Sequence, residues 1–240
     1  MDAQGVQVPV IAKIERCEAL GRLEEIIQAF DGIMVARGDL GVETGLEHVP
    51  LIQKRAIALA RRQAKPVIVA TEMLLMLSAE TSIGRHPVAA VATMARIICA
   101  AESAVKPEPM RDADQVRTSR REGIAIAAAL LRRAVGAKAL VAFTRTGDSA
   151  RLLAAQRSGL PVLAFTPTPR VRSQLALVWG VETFLEPAPL DTDQIIAQVD
   201  RAMLDLGRAE RGDYAVVVAG APPGGQGSTN MVGVHGLGVE

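Results

Sequence analysis

Aromatic residues are scarce in this chain: one Trp, one Tyr and four Phe among 240 residues. Single-stranded nucleic acid is held largely by stacking bases on aromatic rings, so that class of function has no platform here. Net charge is almost absent as well. The 27 basic and 26 acidic residues leave +1, so no global field recruits nucleic acid or an anionic membrane, and an anionic ligand must be held locally. Arg117, Arg120 and Arg121 therefore read as a solvated linker face rather than a nucleic-acid patch. Cysteine is limited to Cys17 and Cys99, far apart and without CxxC or Cys/His spacing. This predicts reduced, buried thiols in a cytosolic protein. The first ten residues lack a basic stretch followed by an apolar one, and no apolar run approaches the roughly 20 residues of a membrane span. The expectation is a cytoplasmic protein with no membrane contact.

What the chain does have is apolar content, 49%, in short runs that alternate with longer helical stretches. That pattern predicts βα units with parallel strands buried on both faces. Val8 to Ile14, Gly32 to Ala36 and Pro66 to Thr71 are the first strands. Helices are expected from Ala19 to Phe30, Val49 to Gln63 and Val88 to Ser103. From Val105 to Ser119 the composition turns to Lys, Pro, Glu, Arg and Asp, as in an exposed linker. The expected domains are thus 1–104 and 120–240, joined by 105–119. In the second, helices at 120–135, 148–157, 169–178 and 191–208 alternate with strands at 139–143, 161–165, 181–185 and 213–218. A glycine-rich stretch, Pro222 to Gly227, precedes a last strand from Asn230 to His235.

Lys13 and Glu15 stand two apart at the end of an apolar strand, so both side chains point to one side of the sheet. They make either a charge pair facing a shared site or an ion pair at the sheet rim. The next strand, Ile33 to Ala36, runs into Arg37-Gly38-Asp39-Leu40-Gly41, placing Asp39 at a strand's carboxyl end. In α/β folds that end carries the site, and glycines let a ligand approach backbone N–H groups. Glu15 and Asp39 on neighbouring strand ends offer oxygen ligands suited to a hard divalent cation such as Mg²⁺. The alternative for Asp39 is a turn or helix-cap residue.

Three segments, Ile11 to Glu15 (IAKIE), Asp31 to Glu43 (DGIMVARGDLGVE) and Lys65 to Thr71 (KPVIVAT), resemble consecutive barrel strands of pyruvate kinase in the right order. The resemblance implies a partial (β/α) TIM-type barrel that transfers phosphate between phosphoenolpyruvate and ADP, giving pyruvate and ATP. It implies that Lys13 neutralises the phosphoryl group in transit and that Glu15 and Asp39 hold Mg²⁺ or Mn²⁺. Backbone from Ala36 through Arg37 and Gly38 to Asp39 would receive the substrate carboxylate. Thr71 would stand near the enolate carbon, orienting a water rather than acting as an acid itself, or would simply satisfy backbone at a strand end. Phosphoryl transfer rests on positioning and on neutralising oxygen charge, which a metal and a lysine supply.

The sequence departs from the family between Ala70-Thr71-Glu72-Met73-Leu74 and Met76-Leu77-Ser78-Ala79-Glu80-Thr81, which nearly touch here. The family has a long loop, a helix and most of a strand between these segments. A parallel crossover needs a dozen or more residues, so the two cannot be adjacent parallel strands in the usual way. Glu72 stands where the family has glutamine, and Ala79 where it has glycine. Glu80 and Thr81 read as support for the site or as ordinary loop capping. The family's first four barrel strands, with its K⁺ ligands, an arginine and most nucleotide contacts, have no counterpart in the sequence. Activity of the chain alone is therefore doubtful, and two other readings stand beside it: a non-catalytic effector-binding or oligomerisation module, or one half of a split enzyme.

Residues 138 to 236 resemble the family's C-terminal domain, through Lys138 to Ser149 (KALVAFTRTGDS), Leu160 to Phe165, Gly180 to Phe184 and Gly224 to Asn230 (GGQGSTN). This implies a three-layer α/β domain, a homo-oligomer and a sugar-phosphate or AMP effector. Strand 139–143 ends in Thr144-Arg145-Thr146-Gly147-Asp148-Ser149 before a helix, an order suited to an anion through helix N–H groups and the hydroxyls of Thr144, Thr146 and Ser149, with Gly147 allowing close approach. Gly227 to Asn230 would assist. Asp148 opposes this, since its carboxylate is placed to cap the helix and repel a phosphate. Trp179 and Tyr214 read as packing residues at element ends. His48 and His86 read as helix-start or loop residues and His235 as a strand residue, none in a catalytic arrangement.

Overall fold

A computed structural model describes residues 8–45, 48–70, 86–104, 119–220 and 229–239. The chain divides into two compact units, Met1–Lys106 and Pro107–Glu240. Thr71, Glu72, Ala79, Glu80 and Thr81, the segment with the missing crossover, lie outside the described residues, as do 105–118 and the glycine-rich 222–227.

In the first unit a parallel sheet has the order β1 (Ile11–Ile14), β2 (Gly32–Ala36), β3 (Val67–Ala70). Lys13 pairs in register with Met34, and Met34 with Ile68. Period 2 then puts Lys13, Met34 and Ile68 on one face and Ile14, Ile33 and Val35 on the other. The second set is fully buried against Leu23 and Ile27 of α2 (Leu23–Ala29), Leu40 of α3 (Arg37–Thr44) and Ala56 and Ala60 of α4 (Val49–Arg62). The helices thus cover one face, and Lys13 stands on the other. Gly32 is required where it stands, because a Cβ there would meet the Pro66 carbonyl at 2.9 Å. Lys65 fastens the end of α2, its ammonium donating to the carbonyls of Ile27, Gln28 and Phe30 at 2.7, 2.8 and 2.7 Å. Burial pushes the Lys65 ammonium below the ordinary lysine value, while those carbonyls hold its protons.

Several boundaries differ from the sequence expectation. The stretch expected as one helix from Ala19 is two, α1 (Cys17–Gly21) and α2, which meet at Arg22; Gly21 weakens the helix there. Arg37 to Gly41, which no expected helix included, is the start of α3, so Asp39 lies within its first turn rather than at a turn or as the cap. Leu40 is fully buried, and that burial outweighs the helix cost of Gly38 and Gly41, about 1 kcal/mol each. Cys17 and Cys99 are exposed, not buried. Cys17 opens the short α1, which has no buried residue, and Cys99 lies on α5 (Pro87–Ala104). Among the described residues no helix is long and apolar enough to cross a membrane.

The second unit is a five-stranded sheet in the order β6 (Val181–Leu185), β5 (Val162–Thr166), β4 (Ala139–Phe143), β7 (Tyr214–Gly220), β8 (Thr229–Gly236). Every pairing is parallel except β7 with β8. Alternate strand residues feed two cores. Leu140, Ala142, Val162, Ala164, Val216 and Val218 face α6 (Arg120–Val135), α7 (Asp148–Ala155) and α8 (Pro169–Leu175). Val141, Leu163, Phe165 and Val217 face α9 (Thr192–Asp200) and the π-helical turn Arg201–Asp205 that continues it. The result is three layers, helix, sheet and helix. Ser119 caps α6 by accepting from the Glu122 N–H, and Gly136 ends it in the left-handed region at φ 67°. His235 of β8 lies 2.7 Å from Asp200 at the end of α9. Trp179 lies under the Arg157 guanidinium, 4.0 Å from ring centre to charge.

Candidate functional site

The open face of the first sheet gathers three of the predicted residues. Lys13 Nζ lies 2.5 Å from Glu15 Oε2 and 3.3 Å from Asp39 Oδ2. Lys13 and Glu15 share a face by strand period. Asp39 reaches the same point from the first turn of α3, so the ion pair bridges β1 to the element that follows β2. The hydrogen bond from Lys13 to Glu15, and next that to Asp39, raise the lysine pKa above its ordinary value. Both carboxylates stay well exposed, 40% and 61%, and so remain accessible to solvent cations.

A divalent cation fits this donor set. Mg²⁺ is commonly held by one or two carboxylates, with water and substrate phosphate oxygens completing the shell. Here two carboxylates from adjacent elements already converge on one cationic group, the Lys13 ammonium. Among the described residues no cluster of three or more His, Cys, Asp or Glu side chains offers a fuller cage.

Ala36 is the residue before α3 and supplies no side-chain cap. The first N–H groups of the eight-residue α3, those of Arg37, Gly38 and Asp39, stand at its head, where an α-helix makes no intrahelical bond of its own to them. They lie at the carboxyl end of β2. Arg37 Nε donates to the Ala70 carbonyl at 3.3 Å, tying the end of β3 to the start of α3. One residue without an assigned role from sequence also takes part. Glu43, in the last turn of α3, accepts from the Cys17 N–H at 2.8 Å and lies 3.5 Å from Arg16 Nε. Its position four residues after Asp39 would have marked it, had the segment been read as helix.

In the second unit a cleft of about 110 Å³ opens at the carboxyl ends of the parallel strands. Thr144, Thr146 and Ser149 line it together with Arg121 and Arg145, while Phe143 and Phe165 form its apolar floor. These rings stack, with centroids 4.9 Å apart, and Phe184 continues the stack at 5.0 Å. Their register partnership across β4, β5 and β6 explains the alignment.

The loop hydroxyls mostly shape the loop itself. Thr144 Oγ1 accepts from the Gly147 N–H at 2.8 Å, and Ser149 Oγ lies 2.6 Å from Thr229 Oγ1 of β8. Gly147 adopts φ 89° as the residue capping α7. Asp148 is thus the first helical residue and not the cap. Its carboxylate is held 3.3 Å from Arg121 and 3.5 Å from Arg151, so its charge is offset by two guanidinium groups.

Residues 1–93 match the family model of the pyruvate kinase barrel domain, and residues 122–235 match that of the pyruvate kinase alpha/beta domain. The chain is 51% identical to a pyruvate kinase of Mycobacterium tuberculosis over 267 positions, covering all of this chain and 56% of the relative. A pyruvate kinase of Corynebacterium efficiens is 48% identical with the same coverage. A crystal structure of a pyruvate kinase from Cryptosporidium parvum matches with a TM-score of 0.85 at 26% identity, over 98% of this chain and 53% of that one. The chain therefore spans about half the length of the relatives it matches. With 267 aligned positions against 240 residues, the M. tuberculosis relative also carries stretches, within the matched span, that this chain lacks.

Proposed function

This chain belongs to the pyruvate kinase family, and we propose that it supplies the lysine, metal-binding and carboxylate-binding part of a site that moves phosphate between phosphoenolpyruvate and ADP. The observation that carries the reading is the contact of Lys13 with both Glu15 and Asp39. Such a triad can place one ammonium and one divalent cation beside a phosphoryl group.

Glu15 and Asp39 would hold Mg²⁺ or Mn²⁺. When bound, that ion would neutralise developing oxygen charge and orient the phosphoryl group. Lys13 would turn its ammonium toward the transferring group, where a fixed positive charge is worth most in the transition state. The N–H groups of Arg37, Gly38 and Asp39 would receive the substrate carboxylate at the head of α3, as helix N-termini receive anions. Thr71 would orient a water near the enolate carbon. K⁺, the remaining arginine and most ADP contacts belong to the family's first four barrel strands, which are not among these residues. In the second unit, the cleft lined by Thr144, Thr146 and Ser149 would take the phosphate of a sugar-phosphate or AMP effector. The setting is a cytoplasmic homo-oligomer.

A coupled assay that follows pyruvate through lactate dehydrogenase tests the reading. The chain alone should show no turnover, because the transition state lacks the contacts that position ADP. Mixing with the front half of a complete relative should give turnover that Lys13→Met removes. Robust turnover by the chain alone, or activity in the mixture indifferent to Lys13→Met, would contradict it.

A further inference from the structure

We propose that Glu43 is a positioning residue that sets the spacing between Glu15 and Asp39, and with it the affinity for a divalent cation. The inference rests on the reading that those two carboxylates hold the cation.

Glu43 sits in the last turn of α3, where a carboxylate opposes the helix dipole and is locally unfavourable. What offsets this lies on another element. Arg16, the residue capping α1, makes no side-chain cap bond, so the first N–H of α1 needs an acceptor from elsewhere. Glu43 provides it, Oε2 taking the Cys17 N–H at 2.8 Å while Oε1 faces Arg16 at 3.5 Å. The contacts come in matched pairs. Asp39 and Glu43 are four apart on α3 and lie on one face; their partners, Lys13 and Cys17, are also four apart. Between these two points of attachment lies Glu15, free of secondary structure at the end of β1. If the Glu43 contact is removed, the ion pair among the described residues that still ties the segment carrying Glu15 to α3 is that of Lys13 with Asp39, the groups a cation would rearrange.

The test measures Mn²⁺ binding to the full chain by the electron paramagnetic resonance of free Mn²⁺, with folding checked by circular dichroism and thermal melting. Glu43→Ala should weaken binding by about tenfold, and Glu43→Gln, whose amide oxygen still accepts the Cys17 N–H, by no more than about threefold. Glu18→Gln, which alters the other partner of Arg16 while its amide oxygen still accepts from the Glu18 N–H, should leave Mn²⁺ binding unchanged. Should Glu43→Ala not fold, Glu43→Asp, which withdraws the carboxylate by one methylene, must itself weaken binding. Wild-type affinity in a folded Glu43→Ala or Glu43→Asp variant would overturn the role of Glu43 alone. Absence of any Mn²⁺ binding sensitive to Asp39→Asn would overturn the cation reading and this inference with it.

Discussion

Arg121 of α6 donates to Asp148 at the head of α7 across 3.3 Å, so the carboxylate expected from sequence to repel a phosphate is tied to a cation from the preceding helix. Arg121→Ala should therefore do two things at once: remove a positive charge from the cleft and leave the negative charge of Asp148 offset by Arg151 and no longer by Arg121. Calorimetric titration with a sugar monophosphate and with AMP should show an affinity loss of about tenfold, the scale of one charge-assisted hydrogen bond. Thr146→Glu should abolish the heat. No heat from the unsubstituted protein at millimolar ligand would eliminate the effector site.

The Phe143, Phe165 and Phe184 stack joins the floor of that cleft to the core beneath it. Phe165 is the middle ring and is 3% exposed. Phe165→Ala should destabilise the second unit by about 3–5 kcal/mol, through lost burial and a cavity between two rings. Denaturant unfolding would show a lower midpoint, and a loss under 1 kcal/mol would mean the site collapses freely.

Lys65 closes the end of α2 by donating to three carbonyls. Lys65→Met keeps most of the apolar stem and removes the donors, so it isolates the hydrogen bonds. The expected cost is about 1–3 kcal/mol. Amide exchange should rise first at the α2 end and around Asp31, and unchanged exchange there would argue that water replaces the ammonium without loss.

Lys13 has its pKa raised by Glu15 and then Asp39. A group whose folded pKa lies above its unfolded value contributes stability that is fully present below the unfolded value and is lost as pH rises through the folded one. On the lysine side, the contact should thus be insensitive to pH through the neutral range, and deprotonation should break it in strong alkali. Nuclear magnetic resonance titration of the Lys13 side chain would test this, with Asp39→Asn moving its midpoint down. A midpoint at or below the ordinary lysine value in the unsubstituted chain would contradict the pairing.

Much of this arrangement was legible in the residues themselves. The period of 2 in IAKIE put Lys13 and Glu15 on one side, and the apolar runs located the strands, because each is a local rule acting over a few residues. The order of three motif-bearing segments identified the family for the same reason. The helical state of Arg37 to Gly41 was not legible, since Gly38 and Gly41 argue against helix and only the burial of Leu40 among residues from α2, β2 and α4 overrules them. Nor was the exposure of Cys17, which depends on α1 being too short to bury a face. Glu43 with Cys17 and Arg121 with Asp148 are pairs 26 and 27 residues apart, where no periodicity links the partners. Local residue patterns set which groups stand at strand ends, while which charges meet depends on how separate elements dock against a shared sheet.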